Sequence, residues 1–134
     1  MNRLHEIKKE QQTKISELLK AVDLFFAFSQ TQFTEGAAKH PLKEGDKYIQ
    51  VFGGGILPKS NYEAYKQGLA DIEAWYKKAT SDKDIRRALI IYELGNHECF
   101  YTGDIDQALL ALGEDYTYDE VYEIYLSEYS KQVL

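Results

Sequence analysis

The sequence predicts an α+β fold, mostly helical: a long N-terminal helix, a small glycine-turn β-hairpin, then about four helices packed around one core. Three observations predict it. Apolar residues recur at steps of three and four over most of the chain, and the run Tyr48–Phe52 is rich in strand formers and meets Gly53, Gly54 and Gly55. Finally, Ser60, Ser81, Asp104 and Thr117 each stand three residues before an acid or an amide, the spacing of a helix capping box.

The chain has 134 residues, 44% hydrophobic and 13% aromatic, enough for one core and too few for two independent domains, so one domain over 1–134 is expected. No stretch approaches the ~20 apolar residues of a membrane helix. The start shows no basic residues followed by an apolar run, the mark of a secretory signal. Cys99 is the single cysteine, which excludes an intramolecular disulfide. A cytoplasmic protein without membrane contact is expected.

Taken in order, the first helix is expected from about Asn2 to Ser29. Leu4 and Ile7 share a face, and Ile15, Leu18, Val22, Phe25 and Ser29 continue it after Gln11 and a four-residue stutter. That N-terminal half is thinly apolar and suits pairing with a partner helix. Residues 30–47, with Gly36, Pro41 and Gly45, read as a connection with one short turn of helix. The hairpin follows, its glycines supplying positive φ and Pro58 ending the second arm. Ser60 with Glu63 opens a helix carrying Tyr62, Tyr65, Leu69, Ile72, Trp75 and Tyr76, with Gly68 placed for close packing. Ser81 with Asp84 starts the next, running to about Gly95. Asp104 with Gln107 starts a short one stopped at Gly113, and Thr117 with Glu120 the last, striped by Tyr118, Val121, Tyr122, Tyr125 and Tyr129.

Charge is unevenly spread. Residues 1–92 hold 15 bases and 12 acids, whereas residues 93–134 hold 10 acids and only Lys131 as a base. An acidic, tyrosine-rich segment repels a phosphate backbone and attracts basic surfaces. Glu114, Asp115, Tyr116, Tyr118, Asp119, Glu120 and Glu123 are therefore the candidate interaction residues, with Tyr116 and Tyr118, flanking the cap, expected to be exposed. The expected partner is a basic protein. Lys8, Lys9, Lys14 and Lys20 on the first helix alternate with Glu6, Glu10, Glu17 and Asp23 at pairing distances, so direct nucleic-acid binding is not expected.

Three other strings bear on chemistry. Gly53–Ser60 has the spacing of a phosphate-binding loop, but Pro58 stands where that loop needs a glycine N–H. Glu93, His97 and Asp104 are weak metal candidates, since Gly95 and Asn96 break the helix between Glu93 and His97 and no second histidine is near. Cys99, beside Phe100 and Tyr101, reads as a small buried hydrophobe. No catalytic residue and no cofactor are expected.

Phe25-Phe26-Ala27-Phe28-Ser29, Gln32-Phe33 and Glu35-Gly36, with Leu94-Gly95-Asn96-His97-Glu98-Cys99 and Thr102-Gly103-Asp104, resemble short uncharacterised proteins of bacterial phages and mobile elements. The resemblance implies a small accessory protein, a class in which inhibitors of host machinery are common, and assigns no residue a role. The expected function is thus an acidic protein-binding module occupying a basic, nucleic-acid-binding surface of a partner. The alternatives are a structural protein forming a homodimer through its N-terminal helix, and a small metal-dependent enzyme.

Overall fold

The computed structural model describes residues 2–133. In chain order they form α1 (Asn2–Ala21), β1 (Phe25–Phe26), α2 (Gln30–Lys39), β2 (Tyr48–Val51), β3 (Gly55–Pro58), α3 (Tyr62–Ala79), α4 (Lys83–Asn96), α5 (Cys99–Thr102), α6 (Asp106–Leu112) and α7 (Tyr118–Val133). The long first helix, the glycine-turn hairpin and the packed helices are those the sequence predicts. The chain divides into two compact units, Lys8–Lys77 and, in the other, the residues through Ile7 together with those from Lys78 onward.

In the unit Lys8–Lys77, α1 stops well short of Ser29. Asp23 takes a left-handed φ of 58°. The Leu24 N–H donates to the Leu19 carbonyl at 2.9 Å and the Asp23 N–H to the Lys20 carbonyl at 3.2 Å, the paired bonds of a Schellman ending. The freed Phe25 and Phe26 then form a strand, with Phe25 opposite Ile56 and Phe26 opposite Gly55. The hairpin thereby becomes a three-stranded antiparallel sheet of order β1-β3-β2, in which Tyr48 faces Pro58 and Val51 faces Gly55. Gly53 and Gly54, at φ 80° and 81°, make the turn.

One face of this sheet packs Ile49, Val51 and Leu57 with Leu18, Leu19, Val22, Leu24 and Tyr65. The other is covered by α2, a ten-residue helix where a connection with one short helical turn was expected. Ser29 caps it, accepting from the Gln32 N–H at 3.1 Å. Phe25 is its anchor: the ring stacks on His40 at 5.3 Å and meets Tyr48 edge-on at 5.6 Å. The Tyr48 hydroxyl donates to the last carbonyls of α2, on Ala37 and His40.

Helices α1 and α3 approach closely where Gly68 meets Leu18; a Cβ at Gly68 would lie 2.4 Å from Leu18 Cδ1. Two lysines of α1 lie against α3 rings. The Lys14 ammonium sits 4.9 Å from the Trp75 centroid, and Lys8 donates to the Tyr76 hydroxyl at 3.3 Å. Ser60 does not cap α3. Its hydroxyl instead donates to Asp46 Oδ2 at 2.5 Å, which with further bonds holds the Asp46 carboxyl below its usual range.

In the other unit, α4 to α7 enclose Ile90, Leu94, Cys99, Ile105, Ala108, Val121 and Tyr125. Leu4 and Ile7 of α1 are buried as well, so neither is left for pairing with a second helix. The α4 cap falls one residue later than Ser81: Asp82 Oδ1 accepts from the Asp84 and Ile85 N–H groups. Thr117 accepts from the Glu120 N–H at 3.2 Å, as its cap requires, whereas the residue capping α6 is Ile105, and Asp104 just before it accepts from the Asp106 N–H at 2.9 Å in an Asx turn. Gly113, at φ 94°, ends α6. Among the described residues no helix is long and apolar enough to cross a membrane.

Candidate functional site

The acidic, tyrosine-rich residues gather on α7 and the loop before it, but the fold sorts them into two groups. Glu120 points inward to Arg86 of α4. The Arg86 Nε and Nη2 atoms each donate to one Glu120 carboxylate oxygen at 2.8 Å, and Nη2 also donates to the Asp115 carbonyl at 2.6 Å. The same guanidinium lies over the Tyr116 ring, 3.9 Å from its centroid. This bidentate pairing holds the Glu120 carboxyl below its usual range and raises Arg86 in turn. Glu120 and Tyr116 are therefore half-buried parts of the fold, and the expectation that Tyr116 is exposed is corrected. One cation, 30 residues upstream of Tyr116 and 34 upstream of Glu120, takes both.

Glu128 behaves likewise. It is buried and accepts from Lys131 at 3.0 Å and Arg87 at 3.1 Å, which lower its pKa in that order of strength.

Glu114, Asp119 and Glu123 are exposed, and among the described residues their carboxylates make no hydrogen bond or ion pair. Asp115 is exposed too, its carbonyl engaged by Arg86. Tyr118 is exposed, as expected, and begins a ladder of rings along α7. Tyr118 stacks on Tyr122 at 5.6 Å, Tyr122 on Tyr125 at 5.7 Å, and Tyr129 continues it at 5.7 Å. Tyr125 lies inside, stacked on Phe100 at 5.6 Å, and burial pushes its hydroxyl pKa up.

Tyr118, Tyr122, Leu126 and Tyr129 stay exposed. Asp119 and Glu123 are one helical turn apart, and Leu126 continues their row. The open side of α7 is thus a strip of aromatic and aliphatic surface beside two unpaired carboxylates. Leu126 was not among the sequence candidates; its spacing of three from Glu123 was the signal that could have found it.

The metal candidates do not converge. His97 Nε2 stands 3.9 Å from Glu93 Oε1, while Asp104 is spent on the Asp106 N–H. Among the described residues no group of three or more His, Cys, Asp or Glu is placed to hold a metal ion. Cys99 is fully buried, and burial pushes its thiol pKa up.

No curated protein and no solved structure matches the chain. The sequence profile of one family, described as a family of unknown function (DUF7659), matches residues 7–130, and the chain belongs to that family.

Proposed function

We propose that the protein is a cytoplasmic protein-binding module that lays the open side of α7 on a basic surface of a partner protein. The observation that carries this reading is the split among the acids: Glu120 and Glu128 are neutralised internally, whereas Asp119 and Glu123 face solvent unpaired beside the exposed rings of Tyr118 and Tyr122. Unpaired carboxylates give a partner's lysines and arginines long-range attraction, and the rings give area that loses water on contact. A surface that grips nucleic acid has the complementary charge, so occupying one would exclude its nucleic acid.

The test is capture of partners from cell extract by the immobilised chain, comparing wild type with Asp119→Lys/Glu123→Lys. The double reversal is expected to weaken capture at least about tenfold at low salt, with duplex DNA releasing the wild-type partner. Capture that ignores both the reversal and added salt would overturn the electrostatic basis.

A further inference from the structure

β2 is an edge strand of the sheet, and its outer edge is open. The Lys59 N–H donates to the Lys47 carbonyl at 2.7 Å, so these two residues form a hydrogen-bonded pair. Antiparallel pairing alternates, so Ile49 and Val51 direct their N–H and C=O groups to Leu57 and Gly55. Tyr48 and Gln50 then turn theirs outward, and among the described residues no other hydrogen bond meets these groups. Proteins ordinarily blunt such an edge with charge, proline or a bulge. Tyr48–Val51 has none of them.

The two faces beside this edge differ. Ile49 and Val51 pack with Leu57 on the side of α1 and α3. The Tyr48 hydroxyl reaches the α2 carbonyls on the opposite side, and Gln50 shares that side by the two-residue repeat. There an open groove of about 430 Å³ runs between β2 and the start of α2, past Phe28, Phe33, Tyr48, Gln50 and Ile56. None of its lining residues is charged, and the Phe28 ring at its rim is 75% exposed. Charge stands at one end of the strand. Lys47 and Lys59 lie directly opposite each other, both exposed, and among the described residues neither ammonium has an ion pair. Like charges placed so repel.

We propose that the β2 edge and this groove bind an extended peptide of a partner protein, which adds a further strand to the sheet. The peptide's main chain pairs with the outward N–H and C=O groups of Tyr48 and Gln50, and its alternate apolar side chains enter the groove. Lys47, two residues before Ile49, stands on the other face of the sheet. An acidic peptide residue on that face, beside Lys47, relieves its repulsion with Lys59. Charge decides the occupant. Residues 47–58 contain no acid, so the β2 strand of a second copy, paired antiparallel, offers Lys47 nothing. The site lies wholly within the unit Lys8–Lys77 and does not use α7.

The test selects a displayed library of random peptides, about twelve residues long and so able to span an edge strand, on the full chain. Selected sequences are expected to share apolar residues at every second position, with an acid an odd number of places from them. With the strongest of these synthesised as the probe, hydrogen exchange at the Tyr48 and Gln50 amides is expected to slow at least about tenfold. The Ile49 and Val51 amides, already paired, should change less. Gln50→Pro deletes an N–H that the sheet does not use and is expected to weaken binding at least about tenfold. Lys47→Glu is expected to weaken it about two- to fivefold. Peptide N-methylation makes the same test on the wild-type chain, without any risk to its fold. Of two probes methylated at alternate nitrogens in opposite phase, one should bind like the parent and the other at least about tenfold more weakly. Selected peptides without the alternation, equal binding of the two methylated probes, or protection confined to elements other than β2 overturns the proposal. A chain whose mass doubles with concentration, and which Gln50→Pro returns to a monomer, overturns it in favour of a second copy.

Discussion

Arg86 grips Glu120 with two parallel hydrogen bonds of 2.8 Å, while its guanidinium plane rests on Tyr116. One cation thus ties α4 to α7 and removes one acid and one ring from the surface that the sequence marks for a partner. Because the pair stays partly exposed, at 29% and 33%, its strength comes from fork geometry more than from dielectric. Arg86→Lys keeps the charge and loses the fork, the Asp115 bond and the stacking. It is expected to destabilise the protein by about 1–2 kcal/mol, read as a lower urea midpoint at unchanged m-value.

Paired carboxylates on α7 set an acid limit. Glu120 and Glu128 are held below the ordinary value of 4.5, so their contribution is fully present above that pH. It is lost as pH falls through their lowered native values, where the folded carboxylates must take up protons. Thermal midpoints measured from pH 6 down to about pH 3 should fall for wild type. Glu120→Gln should start lower and fall less steeply; parallel curves would show that the pairing contributes nothing.

Two helical glycines should respond oppositely to alanine. At Gly95 a Cβ meets nothing within 4 Å, so Gly95→Ala is expected to stabilise by about 0.5–1 kcal/mol through helix propensity. At Gly36 a Cβ would stand 2.2 Å from Phe25 Cδ2, and that ring is held by His40, Phe33 and Tyr48. Gly36→Ala is therefore expected to destabilise by about 1–3 kcal/mol despite the same propensity gain. Thermal melts of the two variants decide the signs.

Tyr48→Phe keeps the ring that packs on Phe25 and Phe33 and deletes the hydroxyl that donates to the end of α2. The expected loss is about 1 kcal/mol. Hydrogen exchange should quicken in α2 more than in α4, because the bond anchors α2 alone.

Cys99 is fully buried with its thiol pushed up, so a disulfide reagent is expected to label it only through unfolding. Labelling in native buffer should be slower than in about 6 M urea by orders of magnitude. Fast native labelling would contradict the packed core around Ile105 and Ala108.

Much of this fold can be read along the chain. The glycine turn, the cap at Thr117 and the stop at Gly113 are set by residues within a few positions of one another, and local backbone chemistry decides them. The end of α1 is harder, because the residue that turns left-handed is Asp23, with no glycine or proline to announce it. Its aspartate also reaches His40 at 3.3 Å, a partner seventeen residues away. The site is half legible: a run of acids and tyrosines is visible, but not which of them stay outside.

What the sequence by itself determined is the class of fold, the helical stripes and the charge imbalance, since each follows from periodicity or composition. Tertiary structure alone decided that Phe25 and Phe26 form a strand, because their hydrogen-bonding partners are Ile56 and Gly55, some thirty residues on. It also decided that Glu120 is spent on Arg86 while Asp119 and Glu123 are not. Neighbours on one helix point in different directions, and only packing of that helix against another fixes which direction meets a cation and which meets water.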